Sequence, residues 1–266
     1  YVVDYSIASA TGLLNLKSLT WDEDAMDFAQ VRVNQLSELV PTTHVLRGMK
    51  SEYAEIMGVD SRVPVVVGAS DGVLANLGVG AVGANQLAVT IGTSSAVRKF
   101  VSQPITDAQG RTFCYASIDQ HWIIGGASNS GGIVLRWFRD RFGQPEIEQA
   151  NREQLDAYDL LIQLAQTVPA GADGLLFLPF LSGERAPYWN ADARGVFFGA
   201  SLQHERSHFV RAVLEGILFA AYSITQVLSD LTATSETILA SGGFARSRVW
   251  CQMMADLFGI QVLVPE

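Results

Sequence analysis

The sequence is poor in cysteine and in basic residues, and each shortage excludes something. Its two cysteines, Cys114 and Cys251, stand far apart and form no metal-type spacing, so they read as buried, reduced thiols of a cytoplasmic protein. Lys and Arg total 18 against 27 Asp and Glu, a net charge of −9. That balance argues against a nucleic-acid partner or an anionic membrane surface. An acidic chain that handles an anionic nucleotide must gather positive potential locally, from backbone N–H groups, a few cations or a metal. No signal peptide, internal repeat, low-complexity tract or Walker P-loop is visible. The most apolar helix-length stretch, 209–228, carries Arg211 and Glu215 and reads as a buried helix rather than a membrane span.

What is present is ample for real cores: 266 residues, 48% of them hydrophobic, suit two small domains or one large one. Asp4, Ser6 and Ser9 in DYSIASATGLLNL are placed to cap or cross-link a short turn. A helix is expected to start at Trp21-Asp22-Glu23-Asp24, with its acidic residues at the positive end, and a second at 51–57, stopped by Gly58. Arg62–Val67, RVPVVV, has the β-branched texture of a strand buried on both faces, followed by GASDG and a helical VLANLG. The small-residue run from Gly78, GVGAVGAN, is the candidate domain boundary, giving domains 1–80 and 81–266. Strands at 87–91 and 96–101 flank a tight turn, Gly92-Thr93-Ser94-Ser95, as in a hairpin. Strands at 112–117 and 121–125, helices at 133–142 and 155–166, and a long helix through Phe209 and Ala220 follow. The end reads strand, Ser-Gly-Gly turn, helix (247–258), strand (260–264). Alternating strands and helices make the class α/β.

Three motifs compete for attention. His204-Glu205-Arg206-Ser207-His208 fits the zinc-protease pattern HExxH, but it sits at an expected helix start, and Arg211 replaces the glycine of the extended form; a solvated first turn is the expectation. Gly68-Ala69-Ser70-Asp71-Gly72 fits GxSxG after a strand and before a helix, the setting of a serine hydrolase nucleophile at Ser70. There the next residue supplies the oxyanion-hole N–H, and an aspartate carboxylate beside a developing oxyanion opposes that chemistry. Gly78-Val79-Gly80-Ala81-Val82-Gly83 fits GxGxxG, but with a helix before it and strands after it, the reverse of dinucleotide binding.

Four segments make better sense together. Asp71 follows a strand end, where open α/β sheets bind ligands, and glycine flanks give a substrate access to its carboxylate; capping of the next helix is the local alternative. Gly92, Thr93 and Ser94 form a hairpin tip whose N–H and hydroxyl groups suit a phosphate nest, or an ordinary turn. Gly125–Gly132 precedes a helix bearing Arg136, its glycines serving either nucleotide approach or helix packing. Gly242 and Gly243 leave backbone bare for a flat adenine or ribose, unless they are a plain strand-to-helix turn.

In this order DYSIASATGLLNL, GASDGVLANLGVGAV, TIGTSSAVR, LPFLSGERAPYWNADARGVFFGAS and SGGFARSRVW resemble the FGGY carbohydrate kinases over essentially the whole chain. The resemblance implies a ribonuclease H-like, actin-like ATPase fold, with a partial first domain and a second, ATP-binding domain. It implies ATP and Mg2+ as cofactors and a sugar or sugar acid as substrate, gluconate first and xylulose next, with a homodimer as a possible assembly. By matching motif, Asp71 is the expected catalytic base, with Gly72 beside it at the substrate. Gly92, Thr93 and Ser94 are the expected phosphate loop, and Gly132, Arg136, Gly242, Gly243 and Ser247 the expected adenosine region. The metal ligands are unassigned. Gly183–Trp189, GERAPYW, is a family landmark read as structural. The family's opening DxGTxxx-type loop is not in this sequence, so weak or no turnover is expected of this polypeptide alone. Two readings of another class stand beside the kinase: a non-catalytic actin-like ATP-binding module, and a serine hydrolase using Ser70.

Overall fold

The computed structural model describes residues 1–118 and 120–265. The chain divides into two compact units. The first is Tyr1–Gly78 with Phe100–Thr106 and Cys114–Ile124; the second is Val79–Lys99, Asp107–Phe113 and everything from Gly125.

The first unit opens with β1 (Val2–Asp4) running into α1 (Tyr5–Ser9). The buried Asp4 carboxylate caps that helix: it accepts the Ser6 N–H at 2.8 Å, the Ile7 N–H at 3.3 Å and the Ser6 hydroxyl. Ser6 Oγ in turn accepts the Ser70 N–H at 2.8 Å, and Ser9 Oγ accepts the Ala116 N–H at 3.1 Å. Of the three residues singled out, Asp4 caps the turn, while Ser6 and Ser9 tie together segments more than 60 positions apart in sequence. A small antiparallel ribbon, β2 (Leu14–Asn15) and β3 (Thr20–Trp21), leads to α2 (Glu23–Ala29), capped by Asp22. Then β4 (Glu38–Val40) pairs parallel with β1. β5 (Val45–Leu46) precedes α3 (Ser51–Met57), which ends where Gly58 takes the left-handed conformation, φ +67°. β6 (Val65–Val66) and α4 (Asp71–Gly78) complete the run. Ala8, Leu14, Ala116 and Trp122 form the apolar centre, with Val3, Tyr5 and Leu39 packed against it.

The run 62–67 departs from expectation. Only Val65 and Val66 are strand; they pair antiparallel with β5 and are 41% and 57% exposed. A strand is buried on both faces only when layers cover both, and among the described residues β6 pairs with β5 alone. Asp71 consequently does not end a buried strand: it lies five residues past β6, as the first residue of α4.

Further along the chain come β7 (Gln86–Ile91), β8 (Ser95–Val101), β9 (Phe113–Ala116), β10 (Trp122–Ser128), α5 (Gly132–Phe142), α6 (Gln144–Glu153) and α7 (Ala157–Gln166). After them come β11 (Leu176–Leu178), β12 (Val196–Phe198), α8 (Arg206–Leu231), β13 (Thr237–Ser241), α9 (Arg248–Phe258) and β14 (Gln261–Leu263). The sheet order is β14-β13-β7-β8-β10-β9; β13 runs parallel to both β14 and β7, while β7 and β8 form the expected antiparallel hairpin. The ends of β8, β9 and β10 at 100–101, 114–116 and 122–124 group with the first unit, so the units are not cut at one chain position. α8 is long and apolar enough to cross a membrane, but it is mostly buried, with Val213, Leu214, Ile217, Ala221 and Ile224 wholly covered. α6 was not expected; its signal is Pro145 in a first turn directly after Gly143.

Candidate nucleotide cleft

The hairpin turn between β7 and β8 is where three distant segments meet. Within it the Gly92 N–H donates to Ser94 O at 2.9 Å. The first N–H groups of α5 then dock on the turn's carbonyls, Gly132 to Gly92 O at 2.7 Å and Ile133 to Thr93 O at 3.0 Å. Two donors that a helix start leaves orphaned are thereby satisfied. The approach is so close that side chains are forbidden: a Cβ on Gly132 would lie 2.7 Å from Gly92 O, and one on Gly131 2.5 Å from Ser94 C. The third segment arrives through β13, whose Ser241 hydroxyl hydrogen-bonds Thr90 at 2.9 Å.

Beside this junction lies a cleft of about 440 Å³, within the usual range for small-ligand sites. Gly92, Thr93, Gly132, Arg136, Gly243 and Ser247 all line it. Ile91, Leu135, Ile162, Phe244 and Trp250 supply apolar surface, and Asp156, Tyr158, Asp159 and Arg246 complete the wall. Thr93 and Ser94 are exposed, and no hydrogen bond engages their hydroxyls among the described residues. Arg136 and Arg246 are exposed cations in a strongly acidic chain.

The expected residues divide by role. Ser94 belongs to the turn but does not line the cleft. The two adjacent glycines part company. Gly242 has φ +91°, and a Cβ there would sit 2.4 Å from Ile91 O, so its bareness serves the packing of β13 against β7. A Cβ on Gly243 would meet nothing within 4 Å, so its bareness leaves cleft volume open. Ser247 caps α9, its Oγ accepting the Trp250 N–H at 3.2 Å. Gly125 and Gly126 serve packing, against Val97 O and the Ile224 and Ala186 side chains. Asp156, Asp159, Arg246 and Trp250 were not foreseen, and no local motif marks the aspartates as site residues: Asp156 caps α7 and Asp159 lies in its first turn, on a helix packed against α8.

Asp71 is exposed and heads α4, its carboxylate accepting the Gly72 N–H at 2.7 Å. A carboxylate in the first turn is favoured by the helix dipole. The preceding Ser70 is tied through its N–H to Ser6, and its Oγ accepts the Val73 N–H at 3.4 Å. No hydrogen bond joins Ser70 Oγ to a histidine among the described residues, which leaves a hydrolase reading without a base. His204 and His208 are engaged as helix-start groups. Their Nδ1 atoms accept the Ser201 and Glu205 N–H groups, and their Nε2 atoms face Asp173. No group of three His, Cys, Asp or Glu side chains among the described residues could hold a metal ion.

Comparison with known proteins gives the cleft its context. Residues 87–266 match the model "FGGY family of carbohydrate kinases, C-terminal domain", and residues 1–78 match the N-terminal domain model of the same family. A gluconokinase of Bacillus subtilis (strain 168) is 53% identical over 267 residues, covering 100% of this chain and 52% of the relative. Two solved structures from Lactobacillus acidophilus, one described as gluconate kinase and one as ligand-bound xylulose kinase, each superpose with a TM-score of 0.90. Each is 38% identical, covering 99% of this chain and 52% of the other. The chain thus spans about half the length of the relatives it matches. Its fold is the ribonuclease H-like, actin-like ATPase fold of those kinases. The chain belongs to the FGGY family of carbohydrate kinases.

Proposed function

We propose that this polypeptide takes part in ATP-dependent phosphorylation of gluconate, with the second unit as the ATP-binding domain and Asp71 as the base. The observation that carries the reading is the convergence of Gly92–Thr93, Gly132–Arg136 and Gly243–Ser247, three segments far apart in sequence, on one cleft. The cleft fits an adenine nucleotide: Gly243 leaves space a Cβ would fill, apolar side chains suit a base, and Arg136 and Thr93 suit phosphate oxygens. Asp156 and Asp159 repel phosphates, so they belong at the ribose and base end, with the phosphates at the hairpin turn. ATP supplies the phosphoryl group. Magnesium is implied by the family, but with no metal-holding cluster among the described residues, none is assigned to it and no step is derived through it.

Phosphoryl transfer depends on positioning and charge neutralisation more than on covalent chemistry from the protein. In this reading the Thr93 turn orients the phosphates, and Asp71 accepts the proton of the attacking hydroxyl, which is worth about two to four powers of ten in rate. Gluconate is preferred over xylulose because the 53% identical relative is a gluconokinase, whereas the 38% identical structures carry both names. The location that follows is the cytoplasm. The test is an ADP-release screen over gluconate, xylulose and glycerol, run on a length of the polypeptide that supports turnover. Gluconate is expected to give the highest kcat/KM, and Asp71→Asn to cut turnover by about 10²–10⁴-fold while keeping nucleotide affinity. A variant with unchanged turnover would remove Asp71 from the chemistry. ADP binding without turnover on any polyol or sugar acid would favour the non-catalytic ATP-binding module.

A further inference from the structure

The GERAPYW segment contains a buried carboxylate that the reaction does not explain. Glu184 is 3% exposed, and no cation pairs with it among the described residues. Four neutral donors converge on it instead. The Asn129 and Arg185 N–H groups donate to Oε1 at 2.7 and 2.8 Å, and the Ser128 and Ser130 hydroxyls to Oε2 at 2.7 and 2.9 Å. Burying an unpaired charge is costly unless hydrogen bonds replace its water, and three of the four come from one short loop. That loop, 128–130, is fastened further by Arg185, whose side chain donates to Asn129 Oδ1 at 2.9 Å and Ser128 O at 3.2 Å.

The loop leads directly to the cleft. Ser130 O accepts the Ser95 hydroxyl at 2.7 Å, Gly131 packs on Ser94, and Gly132 and Ile133 hold the carbonyls of Gly92 and Thr93. Glu184 thus fixes the loop, and the loop fixes the hairpin turn at the end of the cleft assigned above to phosphates. We infer that Glu184 is a positioning residue for nucleotide phosphates, acting through loop 128–132 on the Gly92–Ser94 turn without touching the ligand. This rests on the nucleotide reading of the cleft.

The prediction separates the two ends of the ligand. Removing the carboxylate frees the turn but leaves Gly243 and Ser247 in place, so Glu184→Ala should weaken ADP at least tenfold and adenosine less than twofold. Glu184→Gln should hold both within about threefold of the parent, because its carbonyl oxygen can face the two N–H groups while the serine hydroxyls reverse to accept from its amide. The experiment is calorimetric titration of the 266-residue chain and its variants with ADP and with adenosine, with thermal melting to confirm folding. A purely structural role would weaken both ligands alike, and an unchanged ADP-to-adenosine ratio in Glu184→Ala overturns the inference. Should Glu184→Ala not fold, the Ser128→Ala/Ser130→Ala double variant decides on the same ratio: a fall of threefold or more supports the role, and no fall overturns it. If the parent chain binds neither ligand, the nucleotide reading itself fails, an outcome distinct from any change in the ratio.

Discussion

The adjacent glycines 242 and 243 offer a sharp contrast, because one is bare for the fold and the other, on the proposed nucleotide reading, for the ligand. In Gly242→Ala, the left-handed backbone at φ +91° costs an L-residue about 1–2 kcal/mol. The new Cβ, 2.4 Å from Ile91 O, also forces the end of β13 away from β7, about 1–3 kcal/mol for an overpacked site. A total of about 2–5 kcal/mol should lower the melting temperature by roughly 4–20 °C in a chain of this size. In Gly243→Ala, the Cβ enters open space and the backbone is not left-handed, so stability should change by no more than about 1 kcal/mol. Its methyl group occupies cleft volume, however, and the same overpacking cost of about 1–3 kcal/mol falls on the bound nucleotide, a loss of roughly five- to 150-fold in ADP affinity. Thermal melting followed by circular dichroism and titration with ADP read the two quantities separately. Gly243→Ala binding ADP within twofold of the parent, or Gly242→Ala melting at the parent's temperature, would refute the division of labour.

Two further outcomes concern ionisation. The Arg111 guanidinium, hydrogen-bonded to Asp107, holds that carboxyl well below its ordinary value of 3.8. A depressed carboxyl stabilises the fold above its unfolded value and loses that contribution as pH falls toward the folded one. Arg111→Met should therefore lower the melting temperature by a constant amount from neutral pH down to about 5, and by progressively less below about 4; a difference at pH 2 as large as at pH 5 contradicts the pairing. Burial pushes the Cys114 thiol up to about 11 and raises Cys251 as well, so the native chain should label slowly with a thiol-directed reagent at neutral pH. Two thiols should appear on denaturation, and fast stoichiometric labelling of the native chain would count against this.

Local chemistry made part of this architecture legible in advance. Gly58 stops α3, Asp22 starts α2, and the small residues 92–95 turn the β7–β8 hairpin, because each acts within a few positions of itself. Asp4, Ser6 and Ser9 were legible as cross-linkers, but not their partners Ser70 and Ala116, which only the folded chain brings near. The same limit applies to the cleft. The glycines around it can be read as nucleotide contacts or as packing, and only the atoms opposite each Cβ separate Gly242 from Gly243. Asp159 carries no local signature, since it lines the cleft from a helix; Glu184 sits in a motif visible in the sequence, but its partners lie 54 to 56 positions away in sequence. The valine run 62–67 misled because burial depends on what covers a strand, which its own composition does not state.

Hydrogen–deuterium exchange with and without saturating ADP tests the central claim most directly. Binding in the cleft predicts slowed exchange in peptides covering 91–95, 130–136 and 243–250, with little change along α2 and α3. Protection confined to other segments, or none at any ADP concentration tested, would contradict the assignment of this cleft to a nucleotide.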